Sequence, residues 1–578
     1  MFNKIKGGNF MKSTKMLSLI MTVTMLITIS SGCAQKTPKS AATTPATAST
    51  TSKAELDPFG KYTKPVTIHL VRSLDPNVKF DAGQSIEKNG YIDEIKKQFN
   101  IDVKFDWVSA PGDFDQKLSL AIAANNIPDA AIVGMTPFKS MVKFGQVADM
   151  TSALNNSGSD LLKNFYKSGG DTIKKLVEVD SKVMAIPATN PKANGFNEMW
   201  VRKDWLTKLG LEAPETLADL QKVAKAFVDQ DPDGNGKKDT IGIAGPAKTN
   251  NLTATDGNQF GLDPIFSSKK SFPGYWLKDT SGKVIYGSTQ PETKQALQEI
   301  ADMYKNGLID KEMFMRDDSL QPVLDNKTGI FFGPWWTGYT LSDAYKKSPA
   351  PDWQAYSAPL AEDGNYYAHM AAPATSFLVV NKDYKYPEAA VKIINLLLRD
   401  ESKWIESGLS KDSGTGGSYP LFSVFDNVDE LESSYGIIDK YMKGETKIED
   451  VDFSTHKLLK GDMEAIKKLK KAPLNDYSIN NWDLKSELVT NNLPRLISIM
   501  VGNKPLTTEK NIKEVYSLYY GQTDTMSSKW ANLQKMEKET FSKIIMGVAP
   551  ISTFDDFAKK WNDQGGDKIL TEIADIAK

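Results

Sequence analysis

The sequence is almost without cysteine: Cys33 is the only one among 578 residues. No intramolecular disulfide can form, so the fold must rest on burial and hydrogen bonding. Histidine is nearly as scarce. His69, His369 and His456 lie far apart, with none of the spacing that builds a metal centre. G-x-S-x-G, H-E-x-x-H and the phosphate-binding glycine loop are all missing. Strong charge of either sign is missing too. The formal net charge is −1, so nothing points to nucleic acid or to a polybasic membrane surface.

What is present is ordinary soluble composition, 40% hydrophobic and 25% charged, in a chain too long for one core. Two or more lobes are expected. The N-terminus carries an address: Lys4, Lys6, Lys12 and Lys15, then the apolar run Met16–Ile29, then "SSGCAQ". The run is too short to span a bilayer in a mature protein. A lone cysteine after it resembles a lipobox, cut before Cys33 and acylated on it, although Ser30 stands where a leucine is usual. The competing reading is ordinary secretory cleavage with an incidental thiol. Residues 1–32 are thus expected as a signal peptide and 33–60 as a tether, since 36–57 is rich in Ser, Thr, Ala and Pro and lacks aromatics. A lipid-anchored protein on the outer face of a Gram-positive cell membrane is the simplest location.

Beyond the tether no internal repeat or low-complexity block occurs. "KPVTIHLVRS" (64–73) alternates as a strand. Residues 90–108 read as helix then strand, and 114–134 as helix, turn and apolar strand, a rhythm that predicts an open α/β sheet. Residues 183–188 read as a short strand. Strand, helix and second helix follow over 197–230, with Thr216 as a cap. Strand and helix recur over 375–401, and the chain from about Asn427 is mostly helical. This order predicts a hinged clamshell with crossings near 183–190, 370–378 and 425–430.

Six stretches stand out: "DQKLSLAIAANNIPDAAIVG", "MWVRKDWLTKLGLEAPET", "DQDPDGNGKKDTIGI", "GIFFGPWWTGY", "FLVVNKDYKYPEAAVKIINLLL" and the C-terminal "FSKIIMGVAPISTFDDFAKKWNDQGGDKIL". Together they resemble the extracellular solute-binding proteins, family 1, and within it the large lipoprotein branch of oligosaccharide ABC importers. The resemblance implies a two-lobed periplasmic-binding-protein-like clamshell of class II type, with a helical C-terminal part. It also implies a monomer that hands an oligosaccharide to two permease subunits, with no nucleic acid involved. The expected lobes are 61–188 and 373–428 for the N-lobe, and 189–372 and 429–578 for the C-lobe.

Sugars need flat apolar faces for their C–H side and planar polar groups for their hydroxyls. The stretch 331–339 offers Phe332, Trp335, Trp336 and Tyr339 in a Gly/Pro turn. If it is extended, adjacent tryptophans cannot face the same core. The family's matching segment lines the cleft, which favours Trp335 or Trp336 as ligand contacts over plain burial. Trp107 and Asp75 lie just past predicted strands, where cleft loops emerge. Tyr275 and Trp276 are further candidate platforms, as are Tyr366 and Tyr367. For all of these, core packing or ordinary exposure is the competing reading. Trp200 and Trp205 read as structural, and Arg202 lies in the same structural motif.

"DQDPDGNGKKDT" (229–240) matches the front of an EF-hand loop. Asp231, Asp233 and Asn235 take positions 1, 3 and 5, the Lys237 carbonyl position 7 and Asp239 position 9. The bidentate glutamate at position 12 is replaced by Gly242. One loop, followed by a strand, suits a structural Ca2+ brace rather than a sensor, which works with paired loops. The competing reading is an Asp/Asn/Gly turn that needs no ion. Two other functions remain open. One is an extracellular glycoside hydrolase or lyase working through two carboxylates; the other is a calcium-dependent surface adhesin.

Overall fold

The computed structural model describes residues 52–577, except 249–250, 254–258, 457, 469–476, 483 and 486. The expected signal peptide and Cys33 lie outside the described residues. No described helix is long and apolar enough to cross a membrane.

The first helix shows how local chemistry sets the elements. Asn89 caps Gly90–Phe99 by accepting from the Tyr91 and Ile92 amides at 3.0 and 3.2 Å. Tyr91, Ile95 and Phe99, four residues apart, form one buried stripe. Asn100, at φ 60°, ends the helix in the left-handed conformation and turns the chain into the strand Ile101–Ser109.

Two sheets follow, each with its own core. The first has the order 101–109, 66–73, 130–134, 374–380, 186–189. Its first three strands are parallel, while Ala374–Val380 runs antiparallel to both of its neighbours. Ala130–Gly134 is apolar throughout because helices cover both faces of its sheet. The helix Pro387–Ser407 packs Val391, Ile394 and Leu397 into that core.

The second sheet has the order 353–356, 198–202, 328–333, 241–243. Its strand Thr328–Gly333 is buried at every residue. C-terminal helices complete the second core, to which Phe541, Phe554, Phe557 and Trp561 belong together with Trp205 and Phe227.

Three chain segments pass between the sheets and are hydrogen-bonded to one another. The Asp426 amide donates to the Thr189 carbonyl at 3.1 Å, and the Thr189 hydroxyl donates to the Asp426 carbonyl at 2.6 Å. The Asn190 amide donates to the Pro373 carbonyl, and the Lys192 amide to the Val428 carbonyl. Gly195 lets the first segment touch the second: a Cβ there would stand 2.2 Å from the Ala371 nitrogen. Lys192 also reaches Glu432 and Glu514, at 3.3 and 3.2 Å.

Two features depart from the sequence reading. The expected tether 33–60 ends earlier. Lys53–Leu56 is a capped helix, the buried Lys392 ammonium donates to the Asp57 and Gly60 carbonyls, and Asn395 donates to the Pro58 carbonyl. The helical C-terminal part also contains a strand, Ile512–Tyr516, paired in parallel with Tyr366–Met370.

Glu537 links the second core to pH. It accepts from the Tyr286 and Ser288 hydroxyls at 2.9 and 2.8 Å, and burial pushes its carboxyl up to about 7. A folded-state value above the unfolded one favours the fold while the group is protonated, and that contribution is lost as pH rises through 7. Glu537→Gln should therefore show a smaller fall in Tm between pH 5 and pH 8 than the wild type, measured by differential scanning calorimetry. An unchanged fall would remove Glu537 from the pH response.

Candidate functional site

In open α/β sheets, ligands bind beyond the carboxyl ends of the parallel strands. In the second sheet that edge follows Gly333. Pro334 starts a turn there, with the Thr337 amide donating to the Pro334 carbonyl at 3.0 Å and the Tyr339 amide to the Trp336 carbonyl at 3.0 Å.

The turn separates the aromatic residues into two groups. Phe331 and Phe332 still belong to the strand and are fully buried, one in each of two core clusters. Phe331 lies on Trp200, Trp353 and Phe260. Phe332 is therefore a core residue, and the expectation of ligand contact for it gives way: neighbours on a strand buried on both faces both point into protein.

Trp335 and Trp336 lie in the turn, half-buried. They are not in extended chain, so strict alternation does not separate them. The Trp335 indole N–H donates to Asn194 Oδ1 at 2.8 Å, and Asn194 lies on the first connecting segment. Its ring meets Tyr339 edge-on, with centroids 6.4 Å apart. Tyr339 is 41% exposed, and its hydroxyl accepts from Arg495, which Asp462 holds.

Gln259 joins this group, donating to the Thr337 and Thr340 hydroxyls at 3.0 and 2.8 Å. Sequence reading missed it because it stands in an irregular polar loop with no periodicity. Asn194 was missed for the same reason. Glu198 lies opposite Gly333 in the sheet, buried, with Oε2 unpartnered and its carboxyl pushed well up by burial.

The first sheet has a carboxyl edge of its own. Trp107 is half-buried against Phe114, with Lys117 Nζ 5.6 Å from its ring centre. Asp75 is exposed and turns its carboxylate onto the Asn77 amide at 2.8 Å. The structure thus groups Trp335, Trp336 and Tyr339 on one edge and Asp75 and Trp107 on the other.

Two further candidates lie in packed interior. Tyr275 is 2% exposed and donates to the Met370 carbonyl. Trp276 is 3% exposed, with Tyr286, Trp530 and Trp561 around it. Their aromatic area closes the second core, which corrects their assignment as platforms. Tyr366 is buried as well, while Tyr367 stands near the surface with Lys270 by its ring and Asp363 on its hydroxyl. Trp200 and Trp205 are core residues. Arg202 is bound to Asp204 and lies 4.4 Å from the Trp205 ring centre.

The acidic loop follows the helix Leu217–Asp229, which Thr216 and Asp219 cap reciprocally. Positive φ at Asp231, Gly234 and Gly236 curls the loop. The Asn235 amide nitrogen stands 2.7 Å from Asp233 Oδ2 and 3.0 Å from Asp239 Oδ1, a donor among carboxylates where a cation would sit. Asp231 Oδ1 is buried without a partner, and Asp231 Oδ2 accepts from the Gly236 amide. Lys327 holds Asp239 at 3.0 Å.

Among the described residues no group of three or more His, Cys, Asp or Glu stands together as a metal site. The oxygen-rich front half nevertheless fits a hard cation, through the orphaned Asp231 oxygen and the converging Asp233 and Asp239. Position 12 has a steric reason for its glycine. A Cβ on Gly242 would lie 2.7 Å from the Leu308 carbonyl oxygen and 2.8 Å from that of Ala224, so no glutamate fits.

The family model described as bacterial extracellular solute-binding protein matches residues 82–404. The polygalacturonan/rhamnogalacturonan-binding protein YtcQ of Bacillus subtilis (strain 168) is 25% identical over 511 residues, covering 86% of this chain and 89% of its own. Among solved structures, an HMO-binding, ABC-transporter-associated solute-binding protein from Bifidobacterium longum infantis superposes with a TM-score of 0.58 at 17% identity. That match covers 89% of this chain and 99% of the other. The FusA EF-hand mutant of S. pneumoniae, in complex with fructo-nystose, gives 0.53 at 15% identity, over 88% and 98%. These structures share the fold.

Proposed function

The chain belongs to the bacterial extracellular solute-binding proteins, and within that family we propose that it is the receptor of an ABC importer, capturing an oligosaccharide between its two lobes. The observation that carries this reading is the turn at 334–339. Its half-exposed aromatics stand at the carboxyl edge of one sheet, and Trp335 is bonded to Asn194 on a segment that joins both sheets. Stacked rings supply contact area at low entropic cost, while Gln259 and the asparagines of the connecting segment offer planar polar groups.

Relatives named for polygalacturonan/rhamnogalacturonan binding and for a complex with fructo-nystose support a carbohydrate ligand. The protein is a binder rather than a hydrolase or lyase. Glu198, the carboxyl beside the aromatic edge, is 1% exposed, and that burial keeps it from a sugar. Acylation of Cys33 would hold this receptor on the outer membrane face, where a closed, loaded form could dock on two permease subunits.

Calcium completes the proposal. Asp231, Asp233, Asn235, Asp239 and the Lys237 carbonyl would hold one Ca2+, with water filling the shell that Gly242 leaves open. An EF-hand mutant of a structurally similar protein supports such a loop in this fold. The ion would staple the helix-to-strand turn, away from the aromatic edge.

Replacing Trp335 and Trp336 together by alanine should abolish the Tm increase that oligosaccharides give the wild type and leave the apo protein folded. An undiminished shift would take both rings out of the site. Chelation with EGTA should lower the apo Tm while changing oligosaccharide affinity, measured by isothermal titration calorimetry, by less than about threefold, because a folding brace acts through stability. Lost affinity in a protein that stays folded would make the ion part of the sugar site.

A further inference from the structure

The chain has five arginines, and they are not used alike. Arg202 binds Asp204, Arg316 binds Asp310, Arg399 binds Asp400 and Arg495 binds Asp462, each through two guanidinium nitrogens. Arg72 is the exception. Its one hydrogen bond runs from Nη2 to the Gly416 carbonyl, and no carboxylate among the described residues lies within ion-pair distance of it. Its Nε is buried without an acceptor. Nη1 has no partner among the described residues and is not fully enclosed. Asp75, three residues on, is turned onto its own loop. Burial pulls the guanidinium down to about 10, with no neighbouring carboxylate among the described residues to offset it. It therefore stays charged at neutral pH.

The position of Arg72 matters as much as its lack of a described carboxylate partner. It is the next-to-last residue of Val66–Ser73, paired with Val108 beside Trp107, at the carboxyl edge of the first sheet. The Ser109 hydroxyl, on the residue paired with Ser73, is likewise buried without a partner. An uncompensated cation held partly out of water is a cost to the free protein. A bound anion removes that cost, and its charge-assisted hydrogen bonds strengthen as a closing cleft excludes water. A sugar hydroxyl can accept a hydrogen bond from Nη1, but it neutralises nothing.

We propose that Arg72 is an acid-recognising residue of the ligand cleft, and that the oligosaccharide taken by this receptor carries a carboxylate, as a uronic acid does. The inference rests on the receptor reading above and narrows it to acidic sugars. Arg72 would contribute the charge and the fork geometry, and the Trp335–Tyr339 turn the stacking.

The test compares trisaccharides of galacturonate, mannuronate and glucuronate with their methyl esters and with a neutral fructo-oligosaccharide, by isothermal titration calorimetry at fixed ionic strength. The wild type should bind at least one free acid about 10- to 100-fold more tightly than its ester, as a charge-assisted hydrogen bond implies. Arg72→Met should remove that preference and melt, without ligand, at or above the wild-type temperature; a merely structural arginine would lower the melt instead. Arg72→Lys, which keeps the charge without the fork, should keep only part of the preference, and it serves if the methionine variant does not fold. Equal wild-type affinity for acid and ester, binding of the neutral sugar alone, or an undiminished acid preference in either variant would overturn the inference and leave the receptor reading intact. Absence of binding to every oligosaccharide tested would overturn the receptor reading and this inference with it.

Discussion

The three hydrogen-bonded segments between the sheets are the constraint on which the rest depends. Each sheet has its own core, so each lobe has its own source of stability. The joint between the lobes holds Thr189 with Asp426, Asn190 with Pro373, Lys192 with Val428, and Gly195 against Ala371, with the exposed Lys143–Asp524 ion pair bridging the lobes outside it. Each such bond is worth about 1 kcal/mol net. That suffices to keep three chains in register, and it leaves rotation about them cheap compared with disrupting either core. Hinge closure is the motion such a joint allows.

The proposed ligand groups are arranged around that joint. Trp335 is bonded to it through Asn194, so a sugar stacked on the aromatic turn would press on a residue of the hinge itself. Arg72 and Trp107 lie at the carboxyl edge of the other sheet. A ligand touching both edges would add contact only as the lobes approach, which is how differential contact shifts a two-state equilibrium. The acidic loop plays another part. It closes a long helix-to-strand connection inside one lobe, and its geometry is set by Gly242 packing against Ala224 and Leu308 rather than by any opening helix pair.

Much of this was legible in the sequence. Alternation and a helical stripe mark Val66–Ser73 and Gly90–Phe99 because one face of each is buried against a core, and an unbroken apolar run marks Ala130–Gly134 because its sheet is covered on both faces. The acidic loop and the Gly/Pro-bounded tryptophans were visible because their chemistry is local. What could not be read depended on partners distant in sequence. Phe332, Tyr275 and Trp276 look like sugar platforms until the cores that enclose them are known, since the same flat ring serves both uses. Ile512–Tyr516 carries too little apolar alternation to announce a strand and exists because Tyr366–Met370 lies beside it. Arg72 gives no sequence signal at all: its meaning lies in four other arginines having carboxylates while it has none among the described residues.

Capture between lobes hinged on the three crossing segments is the central claim, and small-angle X-ray scattering tests it most directly. Saturation with a bound oligosaccharide is predicted to reduce the radius of gyration of the wild-type protein by more than the measurement error, with the fold content by circular dichroism unchanged. A radius of gyration that stays the same at full saturation would contradict capture by closure and leave binding on a fixed surface.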